Sequence, residues 1–379
     1  MQLRRFRIGP RRDLCAVFAF ALLIRLCLAL VTYGSAPTAS PAVQNQGSKA
    51  QAAKARDNRP TAAAASPTED RALSAARSFL DKGMPAEAER AVRRYLKTHP
   101  QSADGHFLLG YILFREIQLK ALLDAPSESA VYQTLNQSDL KFRDANAKAS
   151  LAEFTVGARY QRPSAFDLKV VALDYVLLGD FMDADKWLTR SLEWDPKDSE
   201  GWYYLGRAKY NENRFAEAVS AFDQCLKLDA HNAKAEDNLG LSYAGLGRNE
   251  DAIAAYQIAI AWESQTLNRD PEPFIDLGNL YLDLNQPEKA ISALLRSIQI
   301  SSQISRAHEQ LGRAYLLVSQ LRKAQSELEE AIMLSPQTAR LHYILGQIYR
   351  KEGLADKAKM EFDRCVKLQR VHPSESSTM

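Results

Sequence analysis

At 379 residues, 46% of them hydrophobic and 25% charged, the chain has an ordinary globular composition, long enough for a sizeable core and unlike a disordered or fibrous chain. Its formal charge of +3 is misleading, because residues 1–36 hold six arginines (Arg4, Arg5, Arg7, Arg11, Arg12, Arg25) against Asp13, leaving 43 basic and 45 acidic residues elsewhere, a net of about −2. A nucleic-acid footprint is thereby excluded, and Cys15, Cys27, Cys225 and Cys365 are too scattered for a disulfide framework.

The first element is an arginine cluster, Arg4 to Arg12, followed by an apolar run from Leu14 to Tyr33. This is the charge order of a secretory signal or of a signal anchor retained in the membrane. About 20 apolar residues suit a bilayer core of ~30 Å, and Arg25 can snorkel. Tyr33 and Pro37 spoil the small-x-small cleavage options around Gly34, Ser35 and Ala36, so residues 1–33 read as an uncleaved anchor, with a cleaved signal peptide as the alternative. In either case the rest of the chain is expected on the exported, extracytoplasmic side, anchored or secreted. Organelle targeting is a poorer fit, since a transit peptide is amphipathic. Residues 34–68, rich in Ala, Pro, Ser, Thr and Gln, read as a disordered linker.

Beyond the linker, a Leu-Gly pair recurs at 205–206, 239–240, 277–278, 311–312 and 345–346. Upstream, Val171-Ala172, Leu109-Gly110 and Ala75-Ala76 stand in its place, at steps of 34, 62 and 34 residues. An aromatic follows by three residues in most units (Phe79, Tyr175, Tyr243, Tyr281, Tyr315, Tyr349). A small residue follows the Gly or Ala by twelve (Ala88, Ala184, Ala218, Ala252, Ala290, Ala324, Ala358), and four later comes a bulky one (Val92, Leu188, Phe222, Tyr256, Leu294, Leu328, Phe362). Pro100, Pro196 and Pro336 punctuate unit ends. A fixed period of this length is the signature of a solenoid of helix pairs. The glycine is expected to face the alanine of the second helix, and the bulky residue to fill the gap against the next unit.

These residues resemble the tetratricopeptide repeat (TPR), W-x2-L-G-x2-Y then A-x3-F then P, which Trp202, Leu205, Gly206, Ala218 and Phe222 match directly, with Tyr210 one place late. The resemblance implies an all-α, right-handed superhelical solenoid of eight helix-turn-helix units over about four-fifths of the chain. The organisation expected is a 69–164 TPR pair with a helical insertion, six units over 165–372, and a tail at 373–379. The second unit carries 28 extra residues and reads as an elongated capping hairpin, with a partner surface at 115–142 as the functional alternative. Four extra residues in the fifth unit, near Glu263–Arg269, read as one more turn of its second helix.

The resemblance also implies a concave groove lined by first-helix residues beside the packing stripe. On this sequence these are Tyr203, Arg207, Lys234, Asn238, Asp276, Asn279, Arg306, Gln310, Arg313, Arg340, Tyr343 and Gln347. Amides suit the backbone of an extended peptide, and arginines suit its carboxylates. The two-carboxylate clamp of chaperone-binding relatives is only partly echoed, since Ile275 and Ile344 stand where it needs cations.

No phosphate-binding glycine loop, dinucleotide fingerprint, C-x-x-C or H-E-x-x-H occurs. His308 and His342 occupy the place of Trp202 and read as repeat-level packing rather than a metal pair. Cys225 and Cys365 read as small buried hydrophobes. The expectation is a non-enzymatic module that binds a protein or peptide in the groove, with no cofactor, metal, nucleic acid or small-molecule substrate. Two alternatives stand beside it: an architectural subunit of an envelope complex using the convex face or the 115–142 segment, and the accessory arm of an enzyme such as a glycosyltransferase.

Overall fold

The computed structural model describes residues 67–123, 137–263 and 270–371. The anchor and linker expectations, the middle of the 115–142 segment and the tail lie outside these residues. The described residues form sixteen α-helices in eight antiparallel pairs and no strand. The pairs are α1 (Pro67–Asp81) with α2 (Pro85–Thr98), α3 (Ala103–Leu123) with α4 (Gln137–Gly157), and α5 (Ala165–Leu178) with α6 (Phe181–Trp194). Then come α7 (Ser199–Asn211) with α8 (Phe215–Leu228), α9 (Ala233–Gly245) with α10 (Asn249–Glu263), and α11 (Glu272–Asp283) with α12 (Pro287–Ile300). The stack ends with α13 (Ser305–Leu317) and α14 (Leu321–Leu334), then α15 (Ala339–Lys351) and α16 (Ala355–Val371).

Local chemistry starts and stops these helices. Ser164 and Asp167 form a reciprocal capping box on α5, while Asp180, Asp198 and Asn232 cap α6, α7 and α9 with their side chains. Pro287 occupies the first turn of α12, where its missing N–H costs nothing. In seven of the pairs the turn passes through a left-handed residue at one register: Gly83, Gly179, Asn213, Gly247, Asn285, Ser319 and Gly353. The amide that follows bonds back to the carbonyl five residues earlier, as Gln320 does to Tyr315 at 2.9 Å. Ser319, at φ 58°, is the one residue of this series that is neither glycine nor asparagine. Ser319→Gly is therefore expected to raise the urea midpoint, by up to about 1 kcal/mol, because it removes the Cβ penalty of that conformation.

Packing within a pair corrects the expected geometry. The nearest side chain to the glycine is the bulky residue of its own unit, with the backbone at the alanine register beside it, as the Ala324 carbonyl is 3.3 Å from a Cβ added at Gly312. A Cβ added at Gly206 would stand 2.6 Å from the Phe222 ring, and one at Gly346 would stand 2.6 Å from Phe362. The bulky residue therefore closes its own hairpin. Gly110 meets Phe154 in the same manner, at 2.8 Å. Their separation in sequence is 44 instead of 16, so the 28 extra residues lengthen the hairpin without disturbing this contact. The long pair is not an end cap: α3 packs on α2 and α4 packs on α5, which makes it an internal member of the stack.

The core runs down the stack in overlapping clusters. One joins repeats one and two around Leu73, Val92 and Leu109, and the largest runs from Phe107 to Leu239. A third covers the last three repeats, from Ile275 to Ala358. Between them, at the junction of repeats five and six, lies a small cluster centred on Tyr256, Leu277 and Leu280. Polar residues complete that junction: Asp237, Glu263, Asp270, Glu272 and Asp276 are all buried. Helix α10 stops at Glu263, and the extra residues expected to extend it, 264–269, lie outside the described set.

Candidate partner-binding face

Each second helix packs on its own first helix and on the first helix of the next pair. First helices of successive pairs also touch one another directly, so they line the inner face of the stack. All twelve groove residues expected from the sequence lie on first helices α7, α9, α11, α13 and α15. Their surroundings differ sharply.

The arginines are engaged within the chain. Arg306 pairs with Glu272 and, at 3.2 Å, with Asp276 of the preceding repeat, and Arg340 pairs with Glu309. Lys169 of the third repeat makes a similar link in the other direction, reaching Asp198 and Glu200 at the start of α7 at 2.8 Å each. A charge ladder thus ties consecutive first helices together. The sequence reading offered Arg306 and Arg340 to a partner's carboxylates, and the structure places the chain's own carboxylates against them. The amides are engaged too: Asn238 donates to the carbonyl of Lys234 at 2.8 Å, and Gln310 accepts from Arg313 at 2.6 Å.

Four of the expected groove positions lie deep: Tyr203, Arg207, Asp276 and Gln310. Tyr203 is fully buried, and its hydroxyl has no protein partner. Arg207 is 7% exposed, with its guanidinium 5.7 Å from the Tyr203 ring and its Nη1 without an acceptor. Burial pushes the Tyr203 phenol upward, against the lowering field of Arg207. Asp276 is also 7% exposed and is held by Arg306. Tyr343 is exposed, and Asn279, Arg313 and Gln347 are half-buried, as are Lys234, Asn238, Arg306 and Arg340.

Asp237, one helical position from Asn238, is the unexpected member of this face. It is 7% exposed and its Oδ1 has no protein hydrogen-bond partner. Burial, then the carboxylates of Asp276, Asp270 and Glu272, push its carboxyl well above the usual range, with Arg306 opposing them. Asp270 receives no signal from the repeat because it falls in the off-period stretch of the fifth unit. Its amide bonds to Glu263 at 3.0 Å, and its carboxylate accepts from the Glu272 amide at 3.1 Å, where it starts α11. The one trace in the sequence is an acid immediately before Pro271.

The histidines have a structural account. At the register of Trp202, whose Nε1 donates to the Pro196 carbonyl at 2.9 Å, stand His106, His308 and His342. Each places Nε2 within 3.0–3.3 Å of the carbonyl six residues back and Nδ1 at 2.7 Å from a second-helix glutamate: Glu153, Glu327 or Glu361. Both ring nitrogens are occupied. Burial lowers His308, but its bond to Glu327, the Ser302 carbonyl and the charge of Glu330 outweigh this, and the net direction is up. Cys225 and Cys365 are buried and free, and burial pushes the Cys225 thiol up to about 12. Among the described residues no group of three or more His, Cys, Asp and Glu could hold a metal ion, and no helix is long and apolar enough to cross a membrane.

Comparison with known proteins agrees with this architecture. Residues 73–125, 199–232, 272–304 and 339–372 match family models of the tetratricopeptide repeat, and these segments are such repeats. A tetratricopeptide repeat protein from Parabacteroides merdae superposes with a TM-score of 0.54 at 14% identity, covering 75% of this chain and 99% of that one. A chain of the APC/C hetero-tetramer Cut9-Hcn1 superposes with a TM-score of 0.51 at 16% identity, covering 82% of this chain and 62% of that one. At these identities the likeness is one of fold. Over 62 residues, 16% of this chain, the sequence is 42% identical to the Homo sapiens PEX5-related protein, and it spans 10% of that relative's length.

Proposed function

We propose that this chain is a non-enzymatic assembly factor that holds a protein partner, as an extended segment, against the inner face of its repeat stack. The observation that carries the reading is the continuous row of first helices, which presents exposed or half-buried polar groups (Asn279, Arg313, Tyr343, Gln347) over three consecutive repeats. Tetratricopeptide repeats are interaction modules, and the matching family models describe this repeat. The leader completes the proposal. Arg4–Arg12 ahead of the apolar run 14–33 supports a membrane anchor, with the repeats displayed on the exported side beyond the 34–68 linker.

A photo-crosslinking residue at Tyr343 or Gln347 on the inner face should capture the partner in the native host. The same residue at Met333 or Met360, which are 69% and 68% exposed on second helices, should not. Capture from the second-helix positions alone would transfer the function to the convex face and to the architectural reading. Arg306 and Arg340 are unsuitable probes, because changing them breaks the inter-repeat ladder as well.

A further inference from the structure

We infer that the inner face takes a lysine side chain of the partner between repeats five and six, with Asp237 as its counter-ion. The inference rests on the groove reading above and adds the chemistry of one contact. A cavity of about 20 Å³ lies between α9 and α11, lined by the carboxylates of Asp237, Glu263, Asp270 and Glu272 together with Lys234. Asp237 is more than nine-tenths buried, lines this cavity, and offers an oxygen that no protein donor meets. A buried carboxylate without a donor is an expensive group to retain, so an arriving cation gains more here than on open surface.

Charge balance points the same way. Among the described residues, five carboxylates (those four and Asp276) gather at this junction with two cations, Lys234 and Arg306, and Arg306 is shared between Glu272 and Asp276. Among the described residues the lining of this cavity is thus richer in carboxylates than in cations. The volume sets the kind of cation. It admits one water-sized group, which fits a compact ammonium on a thin stem and not a planar guanidinium.

Fluorescein-labelled peptides of one extended Gly/Ser frame, carrying lysine, arginine or glutamate at the same positions, test this by anisotropy against the full chain. The lysine peptide should bind best, the arginine peptide more weakly, and Asp237→Asn should weaken the lysine peptide about tenfold or more. Because asparagine keeps the size of the side chain and needs no counter-ion in the buried site, the variant should keep its helicity and melt no lower than the native chain. An Asp237→Asn chain that binds the lysine peptide within twofold of native, prefers the glutamate peptide, or melts lower because the chain's own cations already neutralise Asp237, overturns the inference. Tyr343→Ala with Gln347→Ala separates the two readings. Loss of lysine-peptide binding there, with none in Asp237→Asn, leaves the groove standing and removes the ammonium site. No loss in either variant removes both.

Discussion

Gly206→Ala should destabilise the native chain and stabilise a chain in which Phe222 is already alanine. In the native packing the added Cβ would stand 2.6 Å from the fully buried Phe222 ring. Forcing the helices apart or the ring off its rotamer costs about 1–3 kcal/mol, more than the ~1 kcal/mol that alanine gains over glycine in a helix interior. Phe222→Ala alone should cost about 3–5 kcal/mol, by transfer loss and cavity together. With the ring gone the obstacle is gone, the helix gain remains, and the new methyl fills part of the void, so the second substitution changes sign. The chain contains its own control, since Ala172 faces Leu188 in the third repeat, and Gly206→Ala with Phe222→Leu reproduces that pair. Urea midpoints followed by circular dichroism would measure each step. Equal losses from Gly206→Ala in both backgrounds would show that the ring is not what the glycine makes room for.

Ser150→Ala should cost about 1–3 kcal/mol, although alanine is the usual residue at that register, because it strands a buried acid. Ser150 Oγ lies 2.9 Å from the Gly110 carbonyl and 2.5 Å from Asp174 Oδ2. A hydroxyl has one hydrogen. Given to the carbonyl, it leaves the short contact to Asp174 to the proton of the acid, an arrangement that favours the neutral form. Burial pushes the same carboxyl well above its usual range, against the lowering effect of the Ser150 bond. The consequence for pH follows from the sign. A folded value above the unfolded one gives a contribution that is complete below about pH 4 and is lost as the pH rises through the folded value. Asp174→Asn keeps a donor for Ser150 and has no proton to lose, so its melting temperature should overtake that of the native chain as pH rises from 4 to neutrality. A constant difference across that range would place the charge on Asp174 in the folded state. Pairing Ser150→Ala with Asp174→Leu, the residue Leu280 supplies at that register, should cost less than Ser150→Ala alone.

Much of the architecture is legible in the sequence because one spacing serves both helix pairing and stacking. Leu205-Gly206 with Ala218 and Phe222 specifies a hairpin whose copies must nest. The nearest side chain to the glycine was misread for a geometric reason. A helical side chain leans toward the N-terminus, so Phe222 covers the level of Ala218, one turn before its own Cα. The site is less legible. Arg306 and Arg340 read as open cations until their partners are placed, and those partners lie one repeat away, at Glu272 and Glu309. The first of these was recoverable, since Glu272 and Arg306 hold the same register with opposite charge. Asp270 and Glu263 were not recoverable, because they flank the stretch where the period slips by four residues.

The contact between Gly110 and Phe154 has a consequence for how such a molecule can change size. Because it sits at the base of the long hairpin and keeps the register of its shorter siblings, added length leaves every neighbour's seat as it was. The design therefore has two independent directions of growth: copies added end to end lengthen the ribbon, while residues added within one hairpin lengthen that pair alone. The first extends the surface for a bound strand. The second creates added length free to diverge, with no demand on the rest of the ribbon to follow.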